Sequence, residues 1–271
     1  MADSRRAVLV TGAGRGLGRA IAEELASRGS AVGLVSRTES QLAAVVATIR
    51  QVGGSALPLV GDVTDRSSLR DVVAKFHEWA GKIDALVCAA ARLTSIGPFG
   101  ESDPDAWWAD LETSIRGVEN SVRETLPILG TADEPSITVL VGPGHQGPLP
   151  YATGYGIAQA ALVRFVESLA LELASGPVGV FAVNPGLVAT SLIRGVIDSA
   201  DGRRWLPRFN EAFAEGKEFG PEVVAEMVAW LVERRPRELS GRVVPAAQTP
   251  ELVEMRLGRI VEGNLGVLRL R

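Results

Sequence analysis

Cysteine is nearly missing from this chain. Cys88 stands alone in 271 residues, so no internal disulfide can form and no thiolate metal cluster can be assembled. Histidine is almost as scarce: His77 and His145 are the only two, too few for a histidine-rich metal site. Positive charge is not in excess either. The 28 Lys and Arg against 32 Asp and Glu give a formal net charge of −4, which argues against a nucleic-acid partner, because such partners favour a basic face. No apolar run is long enough to cross a bilayer, and the opening MADSRRAVLVTG has no signal-peptide apolar region. The expectation is a soluble protein of a reducing cytoplasm, with no metal and no membrane contact.

What is present is a large apolar fraction, 46%, cut into short runs. AVLV (7–10), AVGLV (31–35), ALPLV (56–60), ALVCAA (85–90), SITVLV (136–141), VGVFAV (178–183) and RVV (242–244) read as buried strands. Helical patterns lie between them, as at 17–28, 38–52 and 67–80. Strands alternating with helices of this length mean crossover units and a parallel sheet, and runs apolar on both faces mean helices on each side. The fold class is therefore α/β: a single doubly wound Rossmann-type domain over residues 1–271, with about seven parallel strands. Thr38 with Gln41 forms a candidate capping box, and Asp103 before Pro104 a cap and first helical residue. Gly29, Gly81 and Gly130 read as helix stops. VGPGHQGPLPYATG (141–154) is a Gly/Pro-rich loop, and 187–219 reads as an irregular or mobile lid over a substrate.

The stretch VLVTGAGRGLGRAIAEEL carries the first chemistry. A strand runs into Thr11, Gly12, Arg15, Gly16, Leu17 and Gly18, and a helix follows. Glycine permits a tight turn and a close backbone approach, and the helix N-terminus offers free N–H groups to a phosphate. The strand–turn–helix context makes this a dinucleotide site. The second strand ends in Ser36 and Arg37 rather than an acid. An Arg suits a 2′-phosphate, so the expected cofactor is NADP(H), with Arg15 adding charge nearby. Asp62 and Val63, after the third strand, are placed at the adenine.

These residues together resemble the short-chain dehydrogenase/reductase family over nearly the full length. Thr11-Gly12-x-x-x-Gly16-x-Gly18 matches the family's cofactor motif, Asp62-Val63 its adenine contact, and Tyr155 its tyrosine. NPGLVAT (184–190) matches the segment that touches the nicotinamide, which brings in Pro185, Gly186, Val188 and Thr190. The close, LGVLRLR, resembles tails of bacterial members.

The family's chemistry uses Ser, Tyr, Lys and Asn. Here only Tyr155 remains: the Ser position is Gly142, the Lys position Gln159, and the Asn position about Ser114. The family's Asn-Asn-Ala-Gly stretch reads CAAA at 88–91, with Ala89 against the cofactor. A positioned acid or base is worth about 10²–10⁴ in rate, so ordinary ketone reduction should fall by orders of magnitude. An unassisted tyrosine has a pKa of about 10, so it is a donor at neutral pH and suits reduction rather than alcohol oxidation.

His145 is placed at the mouth of the site, as a donor or acid/base, or else as an ordinary exposed loop histidine. Gln159 can still hydrogen-bond a ribose. Tyr151 either packs on substrate or lid or takes part in chemistry. Cys88 reads as an inert buried thiol. Of Trp107 and Trp108, one is expected in the core and the other on the pocket wall. Three functions stay open. One is a non-redox enzyme (cyclisation, isomerisation or elimination) on a reductase scaffold. The others are an atypical NADPH-dependent reductase of an activated carbonyl, and a non-catalytic scaffold subunit. The expected ligand is a hydrophobic small molecule, such as a secondary metabolite. Family habit implies a homodimer or homotetramer through helices 104–129 and 153–174.

Overall fold

A computed structural model describes residues 5–269; the first four residues of the MADSRR opening and the last two of the LGVLRLR tail lie outside them. Seven strands form one sheet: β1 (Ala7–Thr11), β2 (Ala31–Ser36), β3 (Ser55–Val60), β4 (Ala85–Cys88), β5 (Ser136–Leu140), β6 (Gly179–Asn184) and β7 (Val243–Pro245). Their order is β3-β2-β1-β4-β5-β6-β7, and every pairing is parallel. The order reverses beside β1, so the crevice between β1 and β4 opens at the C-terminal ends of the strands, where such sheets take ligands. The central strands β1 and β4 are buried on both faces because a helix layer covers each one, while the edge strand β3 is partly exposed. One apolar core lies under α1 (Gly16–Ser27), α2 (Glu39–Gln51) and α10 (Pro221–Arg234). The other lies under α3 (Arg66–Ala80), α5 (Gly117–Leu129) and α6 (Thr153–Glu172).

Several local expectations change. The fourth strand ends at Cys88 rather than running to residue 90. Thr38 occupies the N-cap of α2, but its side chain makes no cap hydrogen bond, so no capping box forms; its own N–H instead donates to Ser36 Oγ at 3.2 Å. Asp103 does cap α4 (Pro104–Leu111), accepting from Asp105 N at 3.0 Å. Helix 104–129 is not continuous. A π turn over Glu112–Arg116 separates α4 from α5, and Ser114 lies inside it. Segment 187–219 is largely helical rather than irregular: α7 (Ser191–Asp198), α8 (Ala200–Trp205) and α9 (Pro207–Ala214), tied back by a bridge from Val188 to Phe219. Thr190 Oγ1 caps α7 and Ser199 Oγ caps α8, so two hydroxyls start the two helices. The last helix is α11 (Pro250–Glu262), and the segment after it returns to the sheet, where Gly266 O accepts from Val243 N at 2.7 Å. Among the described residues no helix is long and apolar enough to cross a membrane.

Candidate active site

The crevice is a cavity of about 330 Å³ at the carboxyl ends of the strands. Its floor is the turn after β1. Gly12 has φ +68°, and a Cβ there would meet the Ala90 backbone at 2.8 Å; a Cβ at Gly18 would fall on the Gly12 carbonyl. The turn closes this tightly only because both residues are glycine. Arg15, Gly16, Leu17 and Gly18 line the cavity where α1 begins, so the helix N-terminus faces it. The cradle fits a dinucleotide pyrophosphate.

Ser36, Arg37, Asp62 and Val63, expected at the adenosine, line the same cavity. Asp62 Oδ1 is occupied by Thr64 N and Thr64 Oγ1, at 2.9 and 2.8 Å. Its other oxygen stands 3.8 Å from Arg37, an exposed pair that solvent screens. Val63 is held from behind, its carbonyl accepting from Asn120 Nδ2 at 2.9 Å and its side chain seated on Gly117. Neither Gly117 nor Asn120 was expected at the site; both act through Val63.

Thr11, Gly186 and Val188 do not line the cavity. Thr11 Oγ1 accepts from Ala89 N at 3.3 Å, joining β1 to the segment after β4. Gly186 N donates to Asn184 Oδ1 at 3.0 Å, and Val188 is buried in the core. Ala89, Pro185 and Thr190 do line it.

At the inner end Gly142, Tyr155, Gln159 and Ser114 come together. Gly142 is the hub. Its N–H donates to Gln159 Oε1 at 2.8 Å, and its carbonyl accepts from His145 Nδ1 at 2.8 Å. The bare Cα faces Tyr155, whose hydroxyl oxygen occupies the place a Cβ at 142 would take. Burial pushes the Tyr155 hydroxyl well above its ordinary pKa, and the negative field of Asp110 pushes the same way. Tyr155 is therefore a neutral O–H group across the physiological range. Gln159 is buried, and its carbonyl oxygen is committed to Gly142. Ser114 is buried with Oγ unpartnered, on the π turn.

His145 is not an exposed residue at the mouth. It is 6% exposed, and the bond to Gly142 carbonyl fixes the proton on Nδ1. Nε2 is left as a buried, unpartnered lone pair. Burial lowers its pKa, with the Gly142 carbonyl opposing, so the ring is neutral. The contact it makes is with the Gly142 backbone, and it is absent from the cavity lining. Trp107 is half-buried with Nε1 donating to Thr153 Oγ1 at 2.9 Å, while Trp108 is 59% exposed; neither lines this cavity and neither is in the core. Cys88 lines the cavity but is buried, and burial pushes its thiol up to about 12, which disfavours the reactive thiolate. Among the described residues no group of His, Cys, Asp or Glu could hold a metal ion.

Asp110 was not anticipated. It is fully buried and accepts from Thr94 N (2.9 Å), Thr94 Oγ1 (2.9 Å) and Ser95 N (2.9 Å), with Arg92 Nε at 3.4 Å. It pins the loop after β4 to α4. The signal was present: Asp110 falls on the stripe of Trp107, Leu111 and Ser114, spaced i, i+3, i+4, i+7, where an acid must be paired.

Comparison with known proteins agrees with this geometry. The short chain dehydrogenase family profile matches residues 6–200. Short chain dehydrogenase mpl6 of Monascus purpureus is 30% identical over 265 residues, covering 96% of this chain and 86% of that protein. Short-chain reductase protein NovJ of Streptomyces niveus is 32% identical over 243 residues, covering 87% and 90%. A single-site variant of actinorhodin polyketide ketoreductase, crystallised with NADPH, superposes with a TM-score of 0.80 at 27% identity, covering 90% of this chain and 97% of that one. The chain belongs to the short-chain dehydrogenase/reductase family, whose fold binds a nicotinamide cofactor.

Proposed function

We propose that the chain is an NADP(H)-binding enzyme acting on a hydrophobic small molecule, with Tyr155 as a neutral hydrogen-bond donor and proton source. Its conversion runs without net hydride transfer, as a cyclisation, isomerisation or elimination. One observation carries this reading: the Tyr155 hydroxyl fills the space at Gly142 where a second polarising hydroxyl would stand. Gln159, bound to the Gly142 N–H, brings no charge to activate the phenol. A pocket that holds a substrate against one O–H donor still gains from proximity and orientation.

Arg37 supports NADP(H) over NAD(H), since it lines the cavity at the end of β2 and its pairing with Asp62 is loose and exposed, leaving the guanidinium open to a 2′-phosphate. When bound, the nicotinamide supplies hydride chemistry or, unreacted, one wall of the pocket. The polyketide ketoreductase among the structural neighbours supports a secondary-metabolite substrate. A free buried thiol is consistent with a reducing cytoplasm, and α4 to α6 supply the surface for a homodimer or homotetramer.

A second reading is NADPH-dependent reduction of an already activated carbonyl, favoured by the neutral Tyr155, the form that reduction needs. A fluorescence titration with NADPH and NADH, followed by a substrate screen scored separately for product and for NADPH consumed, distinguishes them. Product without NADPH loss supports the first reading; one NADPH per product supports the second. Binding without any turnover leaves a scaffold subunit, and binding of neither cofactor overturns both.

A further inference from the structure

The charges of the cavity wall all lie at one end. Among the described residues Arg15, Arg37 and Asp62 are the charged groups that line it, at the start of α1 and after β2 and β3. The inner end is lined by neutral groups: Cys88, Ser114, Gly142, Tyr155 and Gln159. Gln159 stands at the position of the family's lysine, and its Oε1 is bound to the Gly142 N–H at 2.8 Å. No positive charge therefore faces the inner end from its own wall.

A negative charge stands behind that wall. Asp110 is fully buried and lies about one helical turn before Ser114, on the same stripe. Its neighbours on α4 touch the helix that carries Tyr155: a Cβ on Gly154 would meet Leu111 Cδ1 and Trp107 Nε1, each at 3.1 Å. The bonds from Thr94 and Ser95 fix the carboxylate in place. Its counter-ion does not cancel it. Arg92 Nε is 3.4 Å away on a side chain 37% exposed, so water screens the guanidinium more than the carboxylate. The next charges along the helix, Glu112 and Arg116, pair with each other at 3.3 Å on the surface. The field of Asp110 reaches the Tyr155 hydroxyl, where it adds to burial in holding the proton on the phenol.

We propose that the inner end of the cavity is a site for an organic cation, the oxidised nicotinamide ring, with Asp110 as the residue that selects it over the neutral reduced ring. The two rings have nearly the same shape and differ by one unit of charge, so an electric field separates them where packing does not. A lysine at 159 would oppose the cation, and Gln159 does not. Resting on the reading of this cavity as the nicotinamide site, the preference deepens the non-redox reading. A pocket that keeps its cofactor oxidised has no hydride to give, and a neutral Tyr155 is the wrong form to take a proton from an alcohol. The ring then stays unreacted beside Tyr155.

Isothermal titration calorimetry of the full chain with NADP⁺, NADPH and adenosine 2′,5′-bisphosphate tests this by binding alone. A unit charge acting over roughly 10 Å at an effective dielectric constant of about 20 changes an affinity about tenfold. The native chain should therefore bind NADP⁺ about tenfold more tightly than NADPH. Asp110→Asn keeps the size of the side chain and should erase that preference by weakening NADP⁺ alone. The bisphosphate has no nicotinamide and should bind both proteins equally. A purely structural role for Asp110 would instead weaken the two dinucleotides together. Should Asp110→Asn not fold, Arg92→Gln removes the half-exposed counter-ion and should widen the preference. NADPH binding as tightly as NADP⁺ in the native chain, or a preference unchanged in Asp110→Asn or, in its place, in Arg92→Gln, overturns the proposal and leaves the cofactor assignment standing. Binding of neither dinucleotide overturns both.

Discussion

The hydroxyl of Tyr155 rests against the bare Cα of Gly142, in the position a side chain at 142 would have to occupy. The missing side chain and the surviving one are therefore a single packing solution. Gly142 cannot be enlarged while Tyr155 stays where it is, and the ring is fixed by a buried apolar cluster.

Restoring serine should consequently fail. Gly142→Ser is expected to destabilise the protein by about 1–3 kcal/mol through overpacking and to confer no general ketone reduction. Gly142→Ser with Tyr155→Phe, which removes the clashing oxygen, should recover most of that loss. Thermal melting of the two variants measures this; an unchanged melting temperature in the single variant would show that Tyr155 moves aside freely.

Gln159 acts on the backbone as well as on the cavity. Gln159→Leu leaves the Gly142 N–H buried without an acceptor, and should cost about 1–3 kcal/mol. Gln159→Lys offers the same N–H only a cation, so it should be no better folded and should not restore dehydrogenase activity. Chemical denaturation of both variants, with an alcohol-oxidation assay on the second, decides the point.

Arg37 should select the cofactor. Arg37→Ala removes a charge-assisted contact worth about 1.5–3 kcal/mol, so NADPH should bind roughly 10- to 100-fold more weakly. NADH affinity should hardly change. Equal losses for the two cofactors would place Arg37 on the shared adenosine rather than on the 2′-phosphate.

His145 sets an acid limit. Its folded pKa lies below the unfolded value of about 6.5, so the unfolded chain binds the proton more tightly. The stabilisation is complete above that value and is lost as pH falls through 6.5 towards the folded pKa. His145→Gln, which does not titrate, should show a smaller drop in melting temperature between pH 7.5 and pH 5.5 than the native chain. Parallel curves for the two proteins would mean that His145 is not held neutral.

The phosphate loop and the alternation of strands and helices could be read along the chain, because each depends on residue type at fixed local spacing. A strand, a glycine turn and a helix are contiguous, and so are Tyr155 and Gln159 on one helix. Burial of His145 was not legible, and for Asp110 the helix stripe called for a partner without showing which one. A loop histidine looks the same in sequence whether it faces water or a glycine carbonyl, and Asp110 finds its backbone partners fifteen and sixteen residues back, in the loop after β4. The capping box at Thr38 failed for a related reason: Ser36, two residues earlier, was closer to the backbone donor.

The sequence by itself determined the doubly wound sheet, the dinucleotide cradle and a pocket with one phenol and no lysine to charge it. Tertiary structure alone decided that Gly142 is where Tyr155 ends, that Gln159 and His145 hold that glycine from its two backbone sides, and that Tyr151 meets Trp205. The physical reason is range. Backbone conformation and hydrophobic period act over a few residues, while close packing and the pairing of buried polar atoms act only between segments that folding has already brought together.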